Sequence, residues 1–339
     1  MIRFFENYSL KKLNSFGVSA TTRYFFEFTE PADLQEFMLS NLFKANDLRM
    51  VIGGGSNLLF LNDFGGLILF PNIPGISIER EDRNHIWVRA GAGVVWDDFV
   101  AYVVREGWGG VENLSLIPGR VGAAAVQNIG AYGQEAADVI ESVSGIDLLT
   151  GEGKLIGSDQ CGFAYRNSIF KNELKSSFVI TSVLFRLYKF PELQTGYYGV
   201  AQAIQHIPAP GISDVRNAVV SIRRSKLPDP EVIGNAGSFF KNPVVSTSQA
   251  EKLKSEYPNV PVYPTASDNQ VKLSAGWLID QCGWKGARRG GAGVHNNHAL
   301  VLINYGNATG EQIFRLSEEI RLSVLENFGV NLEREVIVV

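Results

Sequence analysis

Two hydrophobic periods, one of strands and one of helices, take turns along this chain. Residues 22–28 (TRYFFEF) form an aromatic-rich run that predicts a strand, and residues 31–39 set Leu34, Phe37 and Met38 at helical spacing. Residues 50–52 predict a short strand that runs straight into Gly53-Gly54-Gly55-Ser56-Asn57. A second unit repeats the form, with a strand at 86–90, a turn at Gly91 and Gly93 and a helix over 94–106. Residues 107–133 read as a loop rich in glycine and alanine, and strands return at 144–149 and 178–187. Residues 191–210 break the pattern, rich in proline and tyrosine and almost uncharged, as a linker or a functional loop would be. A helix over 211–224, a Gly/Asn/Phe turn over 234–242 and a strand at 299–303 follow. The last helix is the best signalled. Thr309 and Gln312 make a capping-box pair, Ile313, Leu316 and Ile320 share a face, and Gly329 supplies the stop. Residues 332–339 read as a strand.

Composition narrows the classes. At 339 residues, 45% hydrophobic and 19% charged, the chain has enough apolar material for two or three cores and too much for disorder. The formal charge of −4 advertises no nucleic-acid or membrane surface, and no apolar run approaches the roughly 18 residues of a membrane helix. Two cysteines, Cys161 and Cys282, exclude a disulfide scaffold, and Arg3 and Glu6 interrupt any signal-peptide pattern, so a cytoplasmic protein is expected. Four histidines without cysteine or carboxylate neighbours at ligand spacing offer no metal site. Glycine is the excess: 35 residues, about one in ten against a usual share of roughly 7%.

Those glycines cluster. Gly53-Gly54-Gly55 behind a strand lets a backbone approach an anion closely. It is not the Rossmann fingerprint, because the sixth position is Leu58 and Asn62-Asp63-Phe64-Gly65-Gly66 breaks any helix. The second cluster, SLIPGRVGAAAVQNIGAYG over 115–133, has small residues at 122–125 that would leave N–H groups open for a pyrophosphate at a helix start. A glycine-rich turn and a tightly packed helix are the plain structural alternatives. Two such loops, each behind a βα unit, suggest one large dinucleotide.

VIGGGSNLLF, AGAGVVWDDFV and LSLIPGRVGAAAVQNIGAYGQE resemble the flavin domain of the UDP-N-acetylenolpyruvoylglucosamine reductase family. FAYRNSIFK (163–171), LPDPEVIGNAGSFFKNPVV (227–245) and KLSAGWLIDQCGWKGARRGGAGVHNNHALVLIN (272–304) resemble the same family, so the likeness runs from about Leu13 through the rest of the chain. It implies the long-loop form of an α+β fold. A two-lobed FAD-binding domain of the PCMH/vanillyl-alcohol-oxidase type would span 17–190 (lobes of about 17–70 and 71–190), a lid or linker 191–210, and a C-terminal substrate-binding domain 211–339. It also implies NADPH-dependent reduction of UDP-N-acetylglucosamine enolpyruvate to UDP-N-acetylmuramate in peptidoglycan precursor synthesis, hence a role in cell shape and division. Hydride would pass by way of FAD to C3, and a proton to C2. Gly53, Gly54, Gly55, Ser56, Asn57, Leu58, Ile117, Pro118, Gly119, Gly122, Ala123, Val126, Gly130 and Tyr132 would hold FAD. With no histidine in the first glycine loop, FAD is expected without a covalent link.

The resemblance assigns the chemistry residue by residue. Ser238, in Gly237-Ser238-Phe239-Phe240, would donate the proton to C2, and Arg166 would meet the substrate carboxylate with its planar fork. Glu335 would be the third catalytic group, in Leu332-Glu333-Arg334-Glu335-Val336, where relatives often carry proline at the place of Arg334 and where Glu333 competes for the role. Lys226, Asn242, Tyr198 and His298 would grip the nucleotide sugar. Tyr197 competes with Tyr198 for the lid position, Val200 stands where relatives are often acidic, and His298 where they commonly have glutamine. Arg223, Arg224, Lys226 and Lys241 bracket the Ser238 turn and would supply local positive charge. A monomer is expected. Two rivals stay open at this stage: a flavin oxidase or dehydrogenase of the same superfamily, and a non-catalytic sugar-nucleotide binder.

Overall fold

A computed structural model describes residues 2–265 and 267–339, apart from the side chain of Tyr198. The chain divides into two compact units that interleave along the sequence. The first comprises Met1–Tyr8, Thr22–Gly55 and Phe64–Arg224, and the second Ser9–Thr21, Ser56–Asp63 and Ser225–Val339.

In the first unit, strand Thr21–Phe28 lies parallel to Phe64–Pro71, which lies parallel to Arg49–Val51, with Arg3–Ser9 on the outer edge. Parallel pairing needs a crossover, and the helices Pro31–Met38 and Asn41–Lys44 provide it, burying Leu34 and Phe43 against Phe26, Phe28, Leu67 and Leu69. The second sheet is antiparallel, in the order Gly153–Gly157, Ile140–Asp147, Phe178–Tyr188, His85–Gly91, Ile76–Glu81. Helix Trp96–Arg105 turns Trp96, Phe99, Val100 and Val103 into the core with Val88, Val143, Val183 and Phe185. The first unit thus holds one mainly parallel and one antiparallel sheet, each covered by helix of its own.

Two segments carry more order than their sequence suggests. A helix, Val121–Gln127, lies inside the glycine- and alanine-rich stretch. Another, Tyr198–Ile204, lies inside 191–210, where Val200 and Ile204 are buried against Val215 and Val219 of the helix Ile212–Lys226. Val200 is therefore a core residue, which accounts for an aliphatic side chain there. Most of Ile212–Lys226 belongs to the first unit, although contiguous division of the sequence begins the C-terminal domain at 211.

The second unit has a four-stranded sheet, Gly234–Ser238, Val301–Asn304, Ala292–Val294, Arg288–Arg289, and a three-stranded one built from Val244–Ser246, Gln270–Leu273 and Val262–Pro264. Segment 9–21 belongs to it because the Asn235 N–H donates to Ser15 C=O (2.9 Å) and the Asn304 side chain donates to Phe16 C=O (2.8 Å). A Cβ on Gly234 would stand 2.2 Å from that Phe16 carbonyl oxygen, so this strand starts with the one residue that fits. Helix Gly310–Phe328 has the capping box at Thr309 and Gln312, buries Ile313, Leu316, Ile320, Val324 and Phe328, and stops at Gly329 in the left-handed region (φ 63°). Residues 332–339 are a strand only at Ile337–Val338, paired parallel with Leu58–Leu59.

Candidate active site

The first unit builds its part of the site from two loops closed on each other. A Cβ on Gly53 would lie 3.0 Å from Ala123 Cβ, and one on Gly54 would lie 3.1 Å from Gly119 Cα. A larger residue at either position would press on the facing loop. Gly119 (φ 128°) receives the Trp96 N–H on its carbonyl at 3.0 Å, and Arg120 Nη1 donates to Gly93 C=O at 2.9 Å. Ile117, Ala123 and Val126 are half-buried and Pro118 is exposed. This fits a dinucleotide lying along backbone between apolar edges. The helix start at 121 leaves fewer N–H groups open than expected, however. Val121 N–H is taken by Val94 C=O (2.9 Å) and Gly122 N–H by Ala92 C=O (3.1 Å), which fasten the helix to the strand before it. Gly122 is glycine because a Cβ would lie 2.9 Å from Ala92 Cβ.

On both sides of this helix the backbone is strained repeatedly. Leu116 (φ 58°), Asn128 (φ 45°), Tyr132 (φ 49°) and Arg166 (φ 56°) all adopt the left-handed region without being glycine. Such residues persist only where their surroundings overdetermine them, and each is visibly held. Arg166 sits in a tight turn closed by paired Ala164–Asn167 hydrogen bonds (3.1 and 2.9 Å), and its guanidinium donates to Gly130 C=O (2.5 Å) and Asn128 C=O (3.4 Å). A Cβ on Gly130 would collide with that guanidinium at 2.8 Å.

Leu116 is gripped at both ends. Its N–H donates to Asp97 Oδ1 (2.6 Å), and its carbonyl accepts from Arg223 Nε (3.2 Å). Arg216 holds Asp97 with two bonds (2.7 and 2.9 Å). Burial opposes ionisation of Asp97, but the Arg216 hydrogen bonds, the Leu116 N–H and the charges of Arg216 and Arg223 outweigh it and keep the carboxyl below its usual range. Burial likewise raises the Tyr132 phenol, which Arg223 hydrogen-bonds and Tyr197 meets edge-on at 5.0 Å. Sequence reasoning missed Asp97 and Arg216. An acidic residue in a helix's first turn is commonplace, and its partner lies 119 positions away.

In the second unit, Ser238 ends a bulged strand. Its register partner is Val301, and between Asn235 and Ser238 the pairing slips. Gly237 takes the left-handed region (φ 68°), with open space where a Cβ would stand. The Ser238 hydroxyl has no hydrogen-bond partner among the described residues. One residue on, Phe239 C=O accepts the Glu335 N–H at 2.8 Å. Asn57 fixes the same tail, since its side chain donates to Glu335 C=O (3.1 Å) and its carbonyl accepts from Ile337 N–H (3.0 Å). Ser56, Asn57 and Leu58 thus belong to the second unit, whereas Gly53–Gly55 belong to the first. Glu333 is not equivalent to Glu335. Its side chain is 72% exposed and is paired with Lys241, while Glu335 is half-buried.

Two of the basic residues expected to bracket the Ser238 turn have partners of their own. Lys241 is engaged by Glu333, and Arg223, half-buried in the first unit, bonds Leu116 and Tyr132. Lys226, exposed at the end of its helix, makes its charge felt at His298. Asn242 Oδ1 caps the helix Ala275–Gln281 by accepting the Ala275 N–H (3.0 Å). His298 Nδ1 and His295 Nδ1 are buried with no hydrogen-bond partner among the described residues. Burial, then the charge of Lys226, then His295, push the His298 imidazole below the usual 6.5. Tyr198 begins the helix Tyr198–Ile204, and its side chain lies outside the described residues.

The comparisons with known proteins follow the same division. Residues 23–158 match a FAD binding domain family, and residues 229–339 match the family described as UDP-N-acetylenolpyruvoylglucosamine reductase, C-terminal domain. A flavoprotein with a second domain of this reductase type is the class defined. UDP-N-acetylenolpyruvoylglucosamine reductases of Amoebophilus asiaticus (46% identical, covering 98% of each chain) and Flavobacterium johnsoniae (44%, covering 98% of this chain and 99% of that one) align along nearly their whole length. The crystal structure of the enzyme from Thermus caldophilus shares the fold, with a TM-score of 0.68 at 23% identity over 100% of this chain and 98% of that one. The chain belongs to the UDP-N-acetylenolpyruvoylglucosamine reductase family.

Two outcomes follow from this geometry. Asp97→Asn leaves Arg216 without its charged partner and loosens Leu116, at a cost of about 2 kcal/mol. Urea unfolding of the flavin-free protein and a flavin-binding titration should both weaken, and unchanged values would contradict the clamp. The folded pKa of His298 is below that of the unfolded chain, so the imidazole is neutral at pH 7 and its protonation destabilises the fold as pH drops through 6.5. An NMR titration should place its midpoint under 6.5, moving upward in Lys226→Ala; a midpoint at or above 6.5 in the parent would refute the assignment.

Proposed function

We propose that the two units divide the reduction of UDP-N-acetylglucosamine enolpyruvate to UDP-N-acetylmuramate between cofactor and substrate. The chain is an FAD-containing oxidoreductase acting on a CH–CH group with NADPH as hydride donor, in peptidoglycan precursor synthesis. We assign FAD to residues 17–190, with Gly53–Leu58, Ile117–Gly119, Gly122, Ala123, Val126, Gly130 and Tyr132 as its contacts, and the nucleotide sugar to 211–339. Bound FAD supplies the means of accepting hydride from NADPH and delivering it to C3 of the enolpyruvyl group.

The residues' own work lies at C2 and the carboxylate. Hydride arrival at C3 leaves negative charge on C2 and its carboxylate, which must be stabilised and then protonated. Arg166 suits the carboxylate because its fork is permanently charged and its plane is already fixed by the carbonyls of Asn128 and Gly130. Ser238 suits C2. A hydroxyl is a weak acid, but an enolate carbon is a strong base, so placement decides the rate. Glu335, held one residue along the ladder from Ser238, acts as the accompanying acid or hydrogen-bond partner. Lys226, Asn242, His298 and Tyr198 hold the UDP-sugar. The observation that carries this reading is the bulge itself: an unpartnered serine hydroxyl beside open space at Gly237, with Glu335 fastened to the next carbonyl. We place the enzyme in the cytoplasm as a monomer, in keeping with two unpaired cysteines.

Rapid mixing of each half-reaction tests the assignment. Ser238→Ala should slow flavin reoxidation by substrate about 100- to 10,000-fold, the usual worth of a positioned proton donor, while reduction by NADPH stays within about two-fold. Equal loss in both halves would make Ser238 structural.

A further inference from the structure

Helix Gly310–Phe328 carries Phe314, Ser317, Glu318 and Arg321 at i, i+3, i+4 and i+7, which is one face. That face grips the segment just before Glu335. Arg334 Nε donates to Ser317 Oγ at 3.1 Å, its Nη2 pairs with Glu318, and its guanidinium carbon sits 4.5 Å from the centre of the Phe314 ring. Arg321 holds the same Glu318 carboxylate with two bonds of 3.1 Å and donates to Asn331 Oδ1 at 2.9 Å. Ser317 is fully buried and the Arg334 side chain is 23% exposed, so this is a packed anchor and not a loose surface pair.

The backbone around Arg334 is held from the other side. Lys241 N–H donates to Glu333 C=O (2.9 Å) and Glu335 N–H to Phe239 C=O (2.8 Å), flanking the single bridge between Phe240 and Arg334. Arg334 reaches the helix, whereas the neighbouring Glu333 side chain is exposed and paired with Lys241. Two hydrogen bonds fix this three-residue stretch along one edge, and the Arg334 side chain fixes it against the helix. The N–H of Arg334 itself is not a rung of that ladder.

We propose that Arg334 is a positioning residue for the reaction: its anchorage to Phe314, Ser317 and Glu318 holds the backbone that presents Glu335 beside Ser238. The proposal rests on the role given to Glu335 above. Arg334 itself meets neither substrate nor flavin.

The test uses the flavin-loaded enzyme and compares the parent with Arg334→Ala, Arg334→Pro and Glu335→Gln. Each is measured by single turnover of both half-reactions and by hydrogen–deuterium exchange of the peptide covering 331–339. Arg334→Ala should speed exchange at the Glu335 amide and slow the substrate half-reaction about ten- to hundred-fold, the scale of a small misplacement, with the NADPH half within about two-fold. Arg334→Pro loses no ladder bond and restricts the backbone, so it should recover most of the rate and the protection. Glu335→Gln should slow the substrate half with exchange unchanged. Parental exchange in Arg334→Ala overturns the proposal, as does a parental rate in Arg334→Ala while Glu335→Gln is slow, or a proline variant with slow exchange and the alanine variant's rate. A parental rate in Glu335→Gln sinks the role of Glu335 instead, and is recognisable because Arg334→Ala would then alter exchange alone.

Discussion

The second unit depends on a short ladder made by residues far apart in sequence. Phe239 C=O receives the Glu335 N–H, Glu333 C=O receives the Lys241 N–H, and Ile337 adds to Leu58 in parallel. Each bond alone contributes about 1 kcal/mol. Together they fix the backbone that carries Ser238 and the half-buried Glu335. Segments 56–63 and 9–21 join the unit for the same reason. The tail pairs with the first, and the strand at 234–238 is buttressed by the second.

The first unit is governed by close approach of backbone. At Gly53 and Gly54 two loops meet so closely that an added Cβ would press on Ala123 and Gly119, and four non-glycine residues nearby adopt left-handed conformations. The Asp97–Arg216–Arg223 group shows how one of them is held. Ion pairs stabilise little by themselves, but here half-buried ones fasten both ends of one strained peptide, Leu116. Polar bonds that look like ordinary satisfaction therefore set the backbone shape of that loop.

Much of the fold was legible in the sequence where local signals agree. The helix at 310–328 announced its start, its buried face and its stop, because a capping box, a 3.6-residue period and a left-handed glycine all lie within it. The aromatic strand at 21–28 and the non-helical glycine loop at 53–55 were legible for equally local reasons. The helix at 121–127 was legible only through its run of small residues, since its N-cap, Arg120, makes no side-chain cap. The shortness of the final strand was not legible, because its partners, Leu58 and Phe239, lie about 280 and 100 positions away. Site residues came from family motifs and not from local physics. A lone serine in a glycine turn or an arginine in a hairpin carries no signal of its own. Geometry adds what motifs omit: Glu333 is paired with Lys241 whereas Glu335 is half-buried, and Arg223 is tied to Leu116 and Tyr132.

The most direct measurement of the central claim is anaerobic mixing of the yellow protein with NADPH, followed by UDP-N-acetylglucosamine enolpyruvate, with flavin absorbance as the readout. The account predicts bleaching on the first addition and full return of colour only on the second, with one UDP-N-acetylmuramate formed per flavin. Failure of NADPH to bleach the flavin, with rapid recovery in air after chemical reduction, would contradict it and point to an oxidase.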